Sequence, residues 1–377
     1  MKQTLSQFVF VFAFMLVLWL PMVQMVTGFP RLPKLDENRK LTPQPTLKSW
    51  ADINQYTRDS VKWFDDNFGF RDFLIRAKTQ IDYSVFNISD KVHIGSDGWL
   101  FYRSVIDVGQ PQIEVTLRKD LDAVVEGTQQ LANKLAARGV KLVIMIAPMK
   151  DVFYSEHLPN TVKKLPNPRQ VDLLQDRLRA MKDIIFLDST AILRELAKKR
   201  NVFHKTDFHW NDPAAFEVTR TLVNEIGKLE GKVNPVWTHS LEIEEKPLSG
   251  GEALFMPIFF PPVENALFVK SNWVQPPYNL VEHKAPFLWI YEVKEPTGQE
   301  LPPIAILGDS FYDGMLRSGM WIYFKKVYRA NPNDTSFKDV INNLPEDTKY
   351  FFLEFIENDS RGFAGLASER REEQSEK

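Results

Sequence analysis

The 377 residues are 44% hydrophobic and 25% charged, ordinary proportions for a globular protein and enough chain for one large domain with insertions. Lys and Arg total 47 against 49 Asp and Glu, a net charge of −2, so no strongly basic balance points to nucleic acid as a partner. There is no cysteine, which excludes disulfides, thiolate catalysis and cysteine-based zinc sites.

In chain order, the first feature is "LSQFVFVFAFMLVLWLPMVQMV", an uncharged run from Leu5 to Val26. About 20 apolar residues suffice to cross a bilayer as a helix. No A-x-A-like cleavage site follows it, so residues 1–28 read as an uncleaved membrane anchor ahead of a cleaved signal segment or a buried soluble helix. Residues 29–50, rich in proline and charge, read as a linker. From Ala51 the pattern turns helical as far as Phe86. "VHIGSDGWLFY" then places a D-G turn between two apolar runs, which predicts a hairpin. Leu117, Leu121, Val124, Thr128, Leu131 and Leu135 recur at helical spacing, and Gly139 stands where that helix would stop. "KLVIMIAP" is a continuous apolar run, as in a strand buried on both faces. Asn167 and Pro168 read as cap and first residue of the next helix. The strand "IIFLD", a helix opening at Asp212-Pro213, and the strands "IAILGDS" and "YFFLEFI" follow. Residues 240–300 read as an insertion or a sheet extension, and residues 366–377 as a disordered tail. Alternating strands and helices predict an α/β sandwich with a mainly parallel sheet, preceded by the N-terminal membrane helix. In such sheets ligands bind at the carboxyl ends of the strands.

Two motifs carry chemistry. "KTDFHWND" sets Asp207 and His209 two positions apart before a helix. Taken alone it fits a structural hydrogen bond, a metal site (His204, Asp207 and His209 form H-x2-D-x-H), or two thirds of a catalytic triad. "IAILGDSFYDG" ends an apolar strand in Gly308-Asp309-Ser310, which presents a hydroxyl at a strand's carboxyl end. A serine is a weak nucleophile and needs a base within hydrogen-bond reach, and the base needs a partner that sets its tautomer. Asp207 and His209 supply both, so Ser310 is the group the first motif would serve. That choice leaves no metal in the expected site, whereas the metal reading leaves the G-D-S turn unexplained.

These motifs resemble the SGNH-hydrolase-like proteins of bacterial exopolysaccharide O-acetylation, the group of AlgJ and AlgX from alginate biosynthesis. The resemblance runs from about Asp65 to Glu357 through "DDNFGFRDFLI", "IGSDGWLFY", "IAPMKDVFYSEHLP", "TDFHWND", "LGDSFYDG" and "FLEFIEN". The D-x-H precedes the G-D-S by about a hundred residues, the reverse of ordinary SGNH esterases. The resemblance implies an SGNH-hydrolase-like three-layer sandwich over residues 51–365, with Ser310 as nucleophile, His209 as base and Asp207 as its orienter. It further implies an extracytoplasmic O-acetyltransferase at the inner membrane, free of cofactors. Acetyl groups would come from a membrane-bound O-acyltransferase of the AlgI type, and the acceptor would be a secreted polysaccharide handled together with other export-complex proteins. A carbohydrate acetylesterase with the same triad and a non-catalytic export scaffold are the alternatives. Where a GDL-like stretch is expected the chain has "SGGEALFMPIFF", and its length leaves no room for the separate carbohydrate-binding module of AlgX. The Ser310 N–H is the expected oxyanion donor. Trp99, Tyr102, Trp210 and Tyr312 are candidates for a sugar-stacking platform, with core packing as the alternative. Lys150 is a candidate to face the cleft, with a solvated loop charge as its alternative.

Overall fold

The computed structural model describes residues 2–31, 33–35, 39–232, 236–271, 273, 278–281 and 285–376. The chain divides into two compact units: residues 1–89 with 256–261, and residues 90–255 with 262–377. The boundary therefore falls at Ser89 and not at residue 51, because the helical stretch after Ala51 groups with the N-terminal segment.

In the first unit, α1 (Lys2–Thr27) contains an uncharged stretch, Ser6–Thr27, long and apolar enough to cross a membrane. The helical stretch after Ala51 is two helices, α2 (Ile53–Asn67) and α3 (Arg71–Phe86). The break lies at Phe68–Phe70, where Phe70 adopts a left-handed φ of 61°. Asp66 accepts from the amide and hydroxyl of Thr42 and pairs with Arg39, tying the linker to α2.

The second unit opens with the expected hairpin. β1 (Val92–Ile94) and β2 (Leu100–Tyr102) pair antiparallel, and Asp97 and Gly98 take φ of 54° and 80° at the turn. α4 (Gln110–Ala136) follows, with Leu117, Val124, Leu131 and Leu135 on its buried stripe. β3 (Lys141–Ala147) alternates between two cores: Leu142, Ile144 and Ile146 face one, Val143, Met145 and Ala147 the other. After the short α5 (Asp151–Tyr154) comes α6 (Gln170–Arg179). It begins after the predicted Asn167-Pro168 start, because Arg169 caps it: its amide and guanidinium both bond the Asp172 carboxylate. β4 (Ile184–Phe186), α7 (Ser189–Ala197) and α8 (Asp212–Leu229) complete this half. α8 starts where expected, capped by the Asn211 side chain on the Ala214 amide at 3.0 Å.

Residues 240–300 serve both expected purposes. β5 (Ile243–Leu248) and β6 (Glu264–Val269) form a separate hairpin around α9 (Gly251–Phe255), while β7 (Tyr278–Val281) and β8 (Trp289–Val293) extend the main sheet. Then come β9 (Ile304–Leu307), α10 (Tyr312–Arg317), β10 (Lys326–Ala330), α11 (Phe337–Asn342), β11 (Tyr350–Ile356) and α12 (Ser360–Glu376). The last element corrects the disordered tail: Leu366 is fully buried, with α12 packed along α4, so the helix continues through the predicted tail.

The seven-stranded sheet has the order β4-β3-β11-β9-β10-β8-β7, the first five strands parallel and the last two antiparallel. Residues of α7, α8 and α10 cover one face, and those of α4, α6, α11 and α12 the other. This is a three-layer α/β sandwich with a mainly parallel sheet. Register matters for the site. Leu307, the last residue of β9, pairs with Leu353, and β11 runs on for Glu354, Phe355 and Ile356 beside the departing G-D-S turn.

Candidate active site

The turn after β9 is held from below. A Cβ on Gly308 would lie 3.0 Å from both Glu354 Oε2 and Tyr312 Cβ, a tight approach at which a larger residue would require these neighbours to give. The Asp309 amide donates to Glu354 Oε2 (2.9 Å). The Asp309 carboxylate accepts from the amides of Phe311 (2.8 Å) and Ile356 (2.9 Å). Phe311 is fully buried, and its carbonyl accepts from Trp210 Nε1 at 3.0 Å. Ser310 is the exposed residue of this turn, and its N–H donates to no group among the described residues. Beneath it two carboxyls are buried together. Burial pushes Asp309 up to about 6, and burial followed by the Asp309 charge pushes Glu354 well above the ordinary carboxylate range.

The loop from His204 to Asn211 is held differently. Its ends close on one another through the Phe203–Trp210 bridge and the His204 amide on the His209 carbonyl (3.2 Å). Glu264 accepts from the amides of Lys205 (2.9 Å) and Thr206 (2.7 Å). Lys150, buried, donates to the carbonyls of Lys205 and Asp207 and pairs with the buried Glu252. A buried cation needs such partners, since charge removed from water is costly unless hydrogen bonds replace hydration.

The loop presents Asp207 and His209. Asp207 Oδ1 accepts from His209 Nδ1 (2.6 Å) and from the His209 amide (2.9 Å), and Oδ2 accepts from the Gly251 amide (2.7 Å). Burial alone would raise the Asp207 carboxyl, but these bonds and the adjacent imidazole hold it well below the usual range. His209 Nε2 lies 2.7 Å from Ser310 Oγ. Carboxylate, imidazole and hydroxyl thus form one hydrogen-bonded chain. With Nδ1–H given to Asp207, Nε2 is left to accept the hydroxyl proton, the arrangement a weak oxygen nucleophile needs. His204 is buried with its ring beside Phe268, and among the described residues no three His, Asp or Glu side chains group as a metal-ion site.

The stacking candidates are not a platform. Trp99 is buried and stacks on Tyr154 at 3.9 Å between ring centres. Trp210 is buried and anchors the nucleophile turn, and Tyr312 is buried with the Arg329 guanidinium over its ring. Tyr102 is half-buried against Phe255. Trp99, Trp210 and Tyr312 flank the motifs in sequence but are buried in the core. Lys150 is buried and braces the Asp207 loop through its carbonyls. The sequence reading missed Gly250, Gly251, Glu252 and Glu354. A Cβ on Gly250 would lie 2.3 Å from Asp207 Cβ, so "SGGEALF", read as a departure, is the segment that seats the aspartate. The adjacent glycines ahead of a helix were the available signal.

The model of the SGNH hydrolase-like domain of acetyltransferase AlgX matches residues 92–248, a span that includes Asp207 and His209 and stops before Ser310. "Probable alginate O-acetylase AlgJ" of Pseudomonas aeruginosa is 29% identical over 200 residues, covering 52% of this chain and 49% of that protein. Its counterpart in Pseudomonas syringae pv. tomato is 27% identical over 220 residues, covering 54% and 51%. The chain therefore spans about half the length of these relatives. The solved O-acetyltransferase domain of Pseudomonas putida AlgJ superposes with a TM-score of 0.46 at 16% identity, covering 74% of this chain and 98% of that one.

Proposed function

We propose that the chain belongs to the AlgJ/AlgX-like family, a reading supported by its similarity over residues 92–248, and that it is an extracytoplasmic O-acetyltransferase acting on a secreted polysaccharide. The observation that carries the chemistry is the chain Asp207–His209–Ser310, with contacts of 2.6 and 2.7 Å. In the first half-reaction Ser310 Oγ attacks the acetyl carbonyl of an activated donor while its proton passes to His209 Nε2. Collapse of the tetrahedral adduct breaks the bond to the donor's leaving group, which takes that proton from His209, and an acetyl-serine remains. In the second half a sugar hydroxyl attacks the ester and gives its proton to His209. The C–O bond to Ser310 then breaks, and the serine recovers its proton. Asp207 fixes the tautomer and stabilises the imidazolium in both halves. The Ser310 N–H, with no acceptor among the described residues, is our oxyanion donor. The donor would be charged by a membrane-bound O-acyltransferase of the AlgI type. The apolar stretch Ser6–Thr27 suits an anchor that keeps the domain beside such a partner.

Transfer must compete with water for the acetyl-serine. Positioning supplies effective molarities of about 10⁵ M or more, so a bound glycan hydroxyl wins where it is held against the ester. The full chain in detergent, incubated with an aryl acetate and candidate oligosaccharides, should yield glycans heavier by one acetyl group in mass spectrometry, and Ser310→Ala should yield none. Rapid stripping of acetylated polymer, with no glycan ever acetylated, would establish the esterase instead.

A further inference from the structure

The chemistry above makes no use of the first unit, where α2 presents an apolar face with nothing over it. The helix has 15 residues and none of them is buried. A helix of that length is marginal in water on its own, and its stability comes from covering an apolar face. At 3.6 residues per turn Ile53, Val61 and Phe64 fall within about 80° of one another, with Arg58 and Lys62 on the opposite side. These three apolar side chains are 38%, 56% and 47% exposed, and Trp50, just ahead of the helix, is 81% exposed. A contiguous exposed stripe of this kind marks a contact surface. α3 also exposes Leu74, Ile81 and Val85, but the Lys78–Asp82 pair borders that row. α3 is also tied to protein: Arg76 donates to the Ile258 carbonyl, and Gln80 accepts from the amides of Phe259 and Phe260.

The place where α2 ends says what covers it. The corner between α2 and α3 meets α1: the Phe70 amide donates to Gln24 Oε1 at 3.1 Å, and a Cβ on Gly69 would lie 1.7 Å from the Pro21 carbonyl oxygen. Pro21 stands about 9 Å inside the Thr27 end of the apolar stretch, at 1.5 Å per residue. A helix lying in a bilayer surface buries its apolar face about 5–10 Å into the boundary between headgroups and acyl chains. With α1 across the membrane, the corner is held at that depth, and Trp50 is the residue type that collects there. Charge is not the drive. Arg58 and Lys62 share the helix with Asp59, Asp65 and Asp66, so burial of the apolar stripe has to supply the attraction.

We propose that α2, with Trp50, is an interfacial membrane helix whose partner is the lipid bilayer, lying in its surface with Ile53, Val61 and Phe64 among the acyl chains. The inference rests on α1 as a membrane span and is independent of acyl transfer.

The chain has no cysteine, so single cysteines can be labelled without background. Full-length Ile53→Cys, Val61→Cys, Phe64→Cys, Arg58→Cys, Lys62→Cys and Leu16→Cys proteins would each carry one fluorophore, one copy per phosphatidylcholine nanodisc. Lipids bearing a quencher near the headgroup or near the chain end, and iodide in the water, then report depth. Labels at 53, 61 and 64 should be quenched by the shallow lipid quencher at least about twofold more than those at 58 and 62, with the order reversed for iodide. Leu16 should respond most to the deep quencher. If Leu16 does so while all five α2 labels respond alike, α2 is solvated and the proposal falls with the span intact. Labels on the apolar face shielded from lipid and iodide alike would mean a protein covering and would also overturn it. A Leu16 label open to iodide would remove the span and the proposal together.

Discussion

The serine turn and the histidine loop each present a polar group to the same point, yet they are held by different means. The turn at Gly308–Ser310 rests on two buried carboxyls, Asp309 and Glu354, both pushed toward the neutral form. The loop at Thr206–His209 rests on a buried ion pair, Lys150 with Glu252, and on an aspartate held strongly toward the charged form. Two aspartates within one site are thus driven in opposite directions: Asp207 accepts bonds from an imidazole and an external amide, whereas Asp309 sits against another acid. The difference separates the carboxylate that meets the histidine from the one that holds the serine's turn. Only the Asp207 carboxylate touches the histidine, while Asp309 shapes the turn that carries the serine.

The comparison breaks most severely at Asp207. Asp207→Asn keeps the shape but removes the charge and misdirects the imidazole tautomer, so acyl transfer should fall by about 10⁴-fold with the melting curve nearly unchanged. The equivalent change at Asp309 should cost far less, and equal losses would erase the distinction. Next comes Gly250→Ala. Its new Cβ, 2.3 Å from Asp207 Cβ, must displace the aspartate. A shift near 1 Å costs about 10²-fold in rate, and steady-state turnover of an aryl acetate measures it. Third, Lys150→Met leaves Glu252 buried without its cation, and chemical denaturation should show a loss of about 3–5 kcal/mol.

The smallest effect is a pH dependence. Glu354 is raised in the folded state, so its contribution to stability is full below the ordinary carboxylate range and is lost as pH rises through the folded value. Asp309 follows the same sign, with its step near 6. Asp207 is depressed and runs the other way: its contribution is present at neutral pH and lost on acidification. Glu354→Gln should therefore flatten the alkaline fall in melting temperature and leave the acid side unchanged. Identical curves for the two proteins would show that Glu354 does not carry the alkaline loss.

The sequence disclosed the grouping of Asp207, His209 and Ser310 better than its supports. Asp207, His209 and Ser310 were legible because strand-end turns and pre-helix loops are marked by local pattern: an apolar run, then G-D-S; D-x-H, then Asn211 and Pro213. The central strands were legible too, since "KLVIMIAP" and "YFFLEFI" have only buried positions to fill. What could not be read was long-range. Lys150 and Glu252 are separated by 102 residues and Asp309 and Glu354 by 45, and no periodicity announces such partners. The aromatic candidates failed for a related reason. Adjacency to a motif says nothing about direction, and Trp210 and Tyr312 are both buried. The capping of α6 was missed because Arg169, an unusual cap, is recruited by Asp172 and by the distant Glu357.

The most direct test of the central claim is the acetyl-serine itself. Wild-type protein mixed with an aryl acetate and quenched early should gain one acetyl mass, and peptide mapping should place it on Ser310. His209→Ala should slow its formation at least as much as Asp207→Asn, and Ser310→Ala should abolish it. An acetyl group that forms at the same rate in the folded Ser310→Ala protein, or that maps to another residue on the productive path, would contradict the account.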